Sequence, residues 1–254
     1  ECIDDKDTEL QDSLTIDKTV DTICNYDLGD SVIPFPIDFL FAPNAAVPVS
    51  DGTINIPVDD IAVLSDPKVA INGLDGFSTV APMSTGCTGA IDDSSISGDS
   101  VRVYPITKGA GPAGPATAVS APLVFGVDYV AVLSSVDSTN STLAILPLKP
   151  LLPKSGYAVV ITSKLKSASG RPVGISGSYA LTRGAAVLYD LAVPPAIPPS
   201  TAEAISDAIK SAVLKPAPGA TDADIIAAGV SAATLETLRL NIVKPTEDAI
   251  IASD

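Results

Sequence analysis

The 254 residues include no histidine and no tryptophan, one methionine and five phenylalanines. Each shortage removes a class of chemistry. Without an imidazole, a serine hydroxyl has no ordinary base to take its proton and return it to a leaving group. Nor is there a G-x-S-x-G turn to expose such a serine. With aromatic residues at 4%, sugar- and base-stacking platforms have little to be built from. Positive charge is scarce as well: 15 Lys and Arg stand against 30 Asp and Glu, and the net charge of -15 repels phosphate backbones. Nucleic acid is not expected as a partner. Mean hydropathy is +0.37, yet Pro, Gly or charged residues break every apolar run well short of the roughly 18 residues of a spanning helix.

What the chain does contain is a large supply of Ala, Val, Ile and Leu, enough for a full core and one large or two small domains. Its three cysteines, Cys2, Cys24 and Cys87, lie too far apart for a C-x-x-C metal or redox motif. In an oxidising compartment one pair could close a disulfide worth on the order of 3 kcal/mol; the alternative is small buried hydrophobes. The chain opens at Glu1 without Met, charged n-region or apolar h-region, which reads as a form whose targeting signal has been removed, hence an exported protein.

Five segments follow from composition. Residues 1–30 are acidic with scattered apolar positions, an expected flexible tether. Residues 31–74 carry the run Ile33-Pro34-Phe35-Pro36-Ile37-Asp38-Phe39-Leu40-Phe41, whose prolines forbid a regular helix and predict an extended strap packed on the core. After the Asp51-Gly52 turn signal, Thr53 to Pro57 alternates like a short strand. Residues 75–185 are β-rich: Val101–Tyr104, Tyr129–Leu133, Thr142–Leu146 and Tyr157–Ile161 are β-branched runs bounded by Asp, Ser, Asn, Gly and Pro, which predicts an antiparallel sandwich. Between two of them, Gly109 to Ala116 reads as an exposed Gly/Pro loop. Residues 186–199 form a proline-rich linker, and 200–254 a small helical subdomain. Helix starts are expected at Ser200 with Glu203, at Thr221 and at Ser231; Leu235, Leu238 and Ile242 share one face before Pro245 interrupts. The fold class is thus mainly β with a helical C-terminal part.

Chemical motifs are weak. Ser163-Lys164-Leu165-Lys166 satisfies S-x-x-K without its companion elements and reads as a polar strand end. Asp59-Asp60 and Asp92-Asp93 offer paired carboxylates outside any EF-hand pattern, and solvated turns are the simpler reading. Asn140-Ser141-Thr142 is taken as a turn between strands. No catalytic residue, metal or cofactor is expected. Phe35, Phe39, Phe41 and Phe77 could form an acyl-contact or docking patch, although core packing is the favoured reading.

In combination, several segments resemble the N-terminal region of bacterial virulence-factor lipases, surface or secreted proteins that include lysophospholipase-like lipoproteins. The strap is similar to that family's I-P-F-P-N-D-L-L-F, followed by Asp51-Gly52-Thr53-Ile54-Asn55-Ile56-Pro57. Leu74-Asp75-Gly76-Phe77-Ser78-Thr79-Val80-Ala81-Pro82 is similar to its L-D-G-F-S-T-x-x-P, and Pro147-Leu148-Lys149-Pro150-Leu151 to its P-L-K-P-L. The stretch from Thr79 to Pro172 also resembles bacterial Ig-like modules. Ile37 departs from the family's Asn, and Cys87 stands where such modules carry an aromatic or small polar residue; a Cys24–Cys87 disulfide is one explanation.

The resemblance implies an Ig-like β-sandwich with a small α-helical subdomain. It further implies a noncatalytic accessory role in an exported lipase or carboxylic ester hydrolase, positioning or shielding a downstream α/β-hydrolase domain of the same polypeptide. The expected location is extracytoplasmic, secreted or anchored at the outer membrane, with a lipid or membrane surface as a further partner. The competing expectation is a standalone cell-surface Ig-like module for adhesion or lipid binding.

Overall fold

A computed structural model of the chain describes residues 20–26, 32–41, 52–109, 111–184, 188, 233 and 235–253. It is mainly β, in several sheets, with a C-terminal helix. Among the described residues eight strands are formed: β1 (Ile23–Cys24), β2 (Met83–Gly86), β3 (Val101–Lys108), β4 (Ala116–Val119), β5 (Tyr129–Leu133), β6 (Thr142–Pro147), β7 (Gly156–Ile161) and β8 (Gly174–Ile175). One antiparallel sheet has the order β2-β6-β5 and a second the order β4-β3-β7, while β1 lies parallel to β8. The four β-branched runs read from sequence are the cores of β3, β5, β6 and β7.

The two three-stranded sheets share one core. Val101 and Val103 from β3 pack with Tyr129 and Ala131 from β5, Leu143 and Ile145 from β6, and Cys87, Ile91 and Leu165 from the connections. Period-two alternation dictates this, because successive side chains leave a strand on opposite faces. On β3 the opposite set, Tyr104 and Ile106, is buried too, against Ala116 and Ile250. β3 therefore needs apolar residues on both faces, and its sequence Val-Arg-Val-Tyr-Pro-Ile supplies them. A hydrogen bond ties the layers together at their centre: the buried Tyr129 hydroxyl donates to the Val101 carbonyl at 2.6 Å.

Pro105 lies inside β3 and sets the length of β4. Ser120 N–H donates to the Pro105 carbonyl at 2.9 Å, but proline has no N–H to return the bond, and the registered pairing ends one step earlier at Ile106 and Val119.

Residues 1–30 were expected to tether, yet within them β1 is part of the fold. Gly174 N–H donates to the Thr22 carbonyl, Thr88 N–H to Ile23 and Asn25 N–H to Gly86, each at 2.8 Å. Two glycines admit this close approach: a Cβ on Gly174 would fall 2.7 Å from Val20 Cγ2, and one on Gly89 2.6 Å from Thr22 Oγ1. Cys24 and Cys87 are joined by a disulfide across 63 residues of sequence. A closed loop of that length corresponds to about 4 kcal/mol in the chain-entropy account. Past β1, the Tyr26 carbonyl accepts from Ser176 Oγ at 2.8 Å, and the Tyr26 ring meets Tyr179 edge-on at 5.7 Å. Burial pushes the Tyr26 phenol up to about 12.

Helices are few among the described residues. The short α1 (Pro67–Ile71) starts at the Asp66 cap; α2 (Gly177–Arg183) starts at Ser176, whose Oγ accepts from Tyr179 N–H. The expected stop at Pro245 does not occur. A π-helical turn over Arg239–Val243 runs directly into α3 (Lys244–Ile251), with Pro245 in the first turn of α3. Lys244 N–H reaches back to Arg239 rather than to the nearer carbonyl, and a shift of this kind accommodates a residue that cannot donate. Ile250 then lies against the outer face of the β4-β3-β7 sheet.

Just before the π turn, buried Glu236 receives Arg239 through two bonds, Nη2 to Oε1 at 2.6 Å and Nε to Oε2 at 2.8 Å. Leu188 N–H also donates to Glu236 Oε2 at 2.8 Å, so both carboxylate oxygens are occupied. The helices expected at 200–213 and at 221–229 lie outside the described residues, as does the 186–199 linker apart from Leu188.

Tyr129→Phe removes only the hydroxyl that crosses between the sheets. The expected loss is about 1–2 kcal/mol of unfolding free energy, the range for a buried acceptor left without its partner, read from the urea midpoint at unchanged m-value.

Candidate functional site

The strap is held from both sides. Phe35 exchanges two backbone bonds with Ser84 of β2, at 2.9 and 2.7 Å, and so extends the edge of that sheet. The Phe35–Pro36 peptide is cis. A 3-10 turn over Asp38–Phe41 then carries the chain inward. Phe77 is the hub of the aromatic cluster, edge-on to Phe35 at 5.5 Å and to Phe41 at 5.4 Å.

The four phenylalanines do not make one surface patch. Phe41 is 2% exposed and belongs to the interior, Phe39 and Phe77 are half-buried, and Phe35, at 51%, is the one that presents its ring to solvent. Edge-to-face pairs of this kind add about 0.5–1.5 kcal/mol beyond the area they bury.

Asp38 in the strap pairs with Lys108 at the end of β3, and the same ammonium donates to the Pro112 carbonyl. The Gly109–Ala116 stretch, read as a plain exposed loop, is thereby tied to the strap, and β4 begins at its last residue, Ala116. The expected strand at Thr53 to Pro57 is instead an extended segment held by loops. Ile54 N–H donates to Leu74 at 2.9 Å and Asn55 N–H to Leu40 at 2.6 Å. Asn72 clamps Ile56 in both directions, accepting from its N–H and donating to its carbonyl, each at 2.8 Å. Ile54 and Asn55 are both buried, so burial does not alternate along this segment as it would along a half-buried strand.

That clamp closes the neck of an excursion that sequence reasoning missed. At its tip Ile61, Ala62, Val63 and Leu64 are consecutive and all exposed, Ile61 at 70% and Leu64 at 82%. The signal was available as four apolar residues between Asp59-Asp60 and Ser65-Asp66-Pro67, a composition that a buried strand shares.

The other candidates have structural employment. Ser163 and Lys166 of the S-x-x-K match flank the fully buried Leu165 at the surface, and Lys164 pairs with Asp99 at 3.0 Å. Asp92 caps a 3-10 turn by accepting from Ser94 N–H at 3.0 Å and Ser94 Oγ at 2.7 Å. Asp60 accepts from Ala62 N–H at 2.8 Å. Asn140 occupies the turn between β5 and β6 at φ 56°. Among the described residues, no group of three or more Cys, Asp or Glu could hold a metal ion, and no helix is long and apolar enough to cross a membrane.

The described residues thus make a mostly β module, stapled at its edge by the disulfide, with an aromatic strap beside it. Residues 7–228 match the family described as bacterial virulence factor lipase N-terminal, and the chain belongs to that family. No curated protein and no solved structure matches it.

The β5–β6 turn makes one titration visible. Asp137 accepts from Thr139 N–H and Oγ1 and from Ser141 N–H and Oγ. These bonds, the Thr139 hydroxyl foremost, hold its carboxyl well below the usual carboxylate range. Asp128, through Lys149, and Asp99, through Lys164, are lowered as well. With folded values below unfolded ones, the unfolded chain binds more protons in acid, so this stability is complete above about pH 4 and is lost as pH falls through the folded values. Asp137→Asn should flatten the acid limb of a stability-versus-pH curve and leave its neutral slope unchanged. An acid limb identical to that of the parent chain would contradict the assignment.

Proposed function

We propose that this chain is the noncatalytic accessory segment of an exported bacterial lipase or carboxylic ester hydrolase, and that it positions or shields an α/β-hydrolase domain further along the same polypeptide. The observation that carries the reading is the family match over residues 7–228 together with the absence of any histidine from the 254 residues. Acyl transfer by serine needs a base, so the chemistry belongs elsewhere in the parent. The Cys24–Cys87 disulfide supports an extracytoplasmic location, since cytosolic thiols are kept reduced.

The fold reading behind this is an Ig-like sandwich. In such sandwiches one sheet has the order A-B-E-D, and the other contains C and F, extended by C′ in variable-type domains. The order β2-β6-β5 then corresponds to B-E-D and β4-β3-β7 to C′-C-F, with β1 as A at the edge beside Cys87 and β8 as G. Antiparallel pairing throughout both three-stranded sheets supports the correspondence. On this reading the strap and the C-terminal helix are additions to the sandwich that face the rest of the parent protein.

The isolated chain, incubated with short-chain esters and with lysophospholipids, is expected to give no turnover above buffer. Saturable turnover that survives repurification would overturn the noncatalytic assignment.

A further inference from the structure

From the chemistry of the Ile61–Leu64 turn, we infer that it is a lipid-insertion tip, with a zwitterionic bilayer surface as its ligand. Four consecutive aliphatic side chains are exposed there, and several amides of the turn are bonded within it. Ala62 N–H donates to Asp60 Oδ1 at 2.8 Å; Val63 N–H donates to the Asp60 carbonyl, Leu64 N–H to Ala62 and Asp66 N–H to Val63.

A bilayer core offers no hydrogen-bond partners, so each amide already bonded within the turn lowers the cost of entry. For these four N–H groups, leaving water costs no hydrogen bond, while the aliphatic side chains gain by leaving it.

The charges beside the tip select the lipid. Asp59 and Asp60 precede the turn and Asp66 follows it, with Lys68 as the nearby cation, and the whole chain carries -15. Asp60 is engaged by Ala62 N–H, and Asp66 Oδ1 accepts from Lys68 N–H at 2.9 Å, so these carboxylates stay at the base of the tip. At headgroup depth they attract choline ammonium groups and are repelled by anionic lipids. The neck is fixed by the two Asn72–Ile56 bonds, which let residues 57–71 project as one unit.

The inference rests on the lipase reading for its biological setting. Vesicle binding is measured without any hydrolase or substrate turnover, so failure of one is distinguishable from failure of the other.

The test is cosedimentation of the 254-residue chain with phosphatidylcholine vesicles. Binding is expected, falling by about tenfold or more in the Ile61→Ser/Leu64→Ser double variant, and weakening when roughly one-third of the lipid is phosphatidylglycerol. Because the chain has no tryptophan, Leu64→Trp adds a single reporter whose emission should shift to the blue on addition of phosphatidylcholine vesicles. Absence of binding by the unmodified chain would overturn the inference, as would equal binding by the double variant. So would a reporter already blue-shifted in buffer and unresponsive to vesicles, which would place protein rather than lipid over the tip.

Discussion

The insertion of two residues, Ile23 and Cys24, between the edge of β2 and the short strand β8 is the constraint on which the rest of this structure depends. Strand edges carry rows of unpaired donors and acceptors, and here the edge of one sheet and the end of the chain's β region are joined through the same two residues. Backbone bonds from Thr88, Asn25 and Gly174 do the pairing, and the Cys24–Cys87 bond makes it covalent. A two-residue strand could not hold this position by hydrogen bonds alone, since a few net bonds of about 1 kcal/mol each barely offset the entropy of ordering the segment. The disulfide restricts the unfolded chain and tips that balance.

With that edge secured, the β4-β3-β7 sheet becomes the middle layer. Its inner face closes on β5 and β6 around Tyr129, and its outer face receives Ile250 from the C-terminal helix. The helix is fixed in turn by the buried Glu236–Arg239 pair, which reaches the Leu188 backbone, and by Arg183 of α2, whose Nη2 lies 2.9 Å from Glu247. Charges as buried as Glu236 and Arg239 are tolerated because their hydrogen bonds are satisfied. The strap occupies another side, through Phe35 on β2 and Asp38 on Lys108. The aliphatic tip at Ile61–Leu64 is the exception, an excursion that turns apolar side chains away from the core.

The strands at the centre were legible because period-two alternation and β-branched residues coincide in Tyr129-Val-Ala-Val-Leu and Thr142-Leu-Ala-Ile-Leu. β2, with the sequence Met-Ser-Thr-Gly, carries neither signal and exists because β6 and the strap flank it. β1 was obscured by its acidic neighbours, for composition averaged over thirty residues cannot register two that are pinned by partners far along the chain. β4 begins at the last residue of a Gly/Pro stretch that looks like a loop. Pro245 was read as a stop, but a π turn gives a proline a place that local rules do not foresee. The pairings of Asp38 with Lys108 and of Glu236 with the Leu188 backbone left no sequence signal, because each joins segments tens of residues apart. Function was legible only through family-like motifs; the residues by themselves indicated what the chain lacks.

Amide hydrogen exchange on the oxidised and reduced chain tests the role of the inserted strand most directly. If β1 joins β2 to β8, reduction of Cys24–Cys87 should cost protection together at residues 22–25, 86–88 and 174–176 while β3 and β7 keep theirs. Loss confined to residues 22–25, with the β2 edge and β8 as protected as before, would contradict the account.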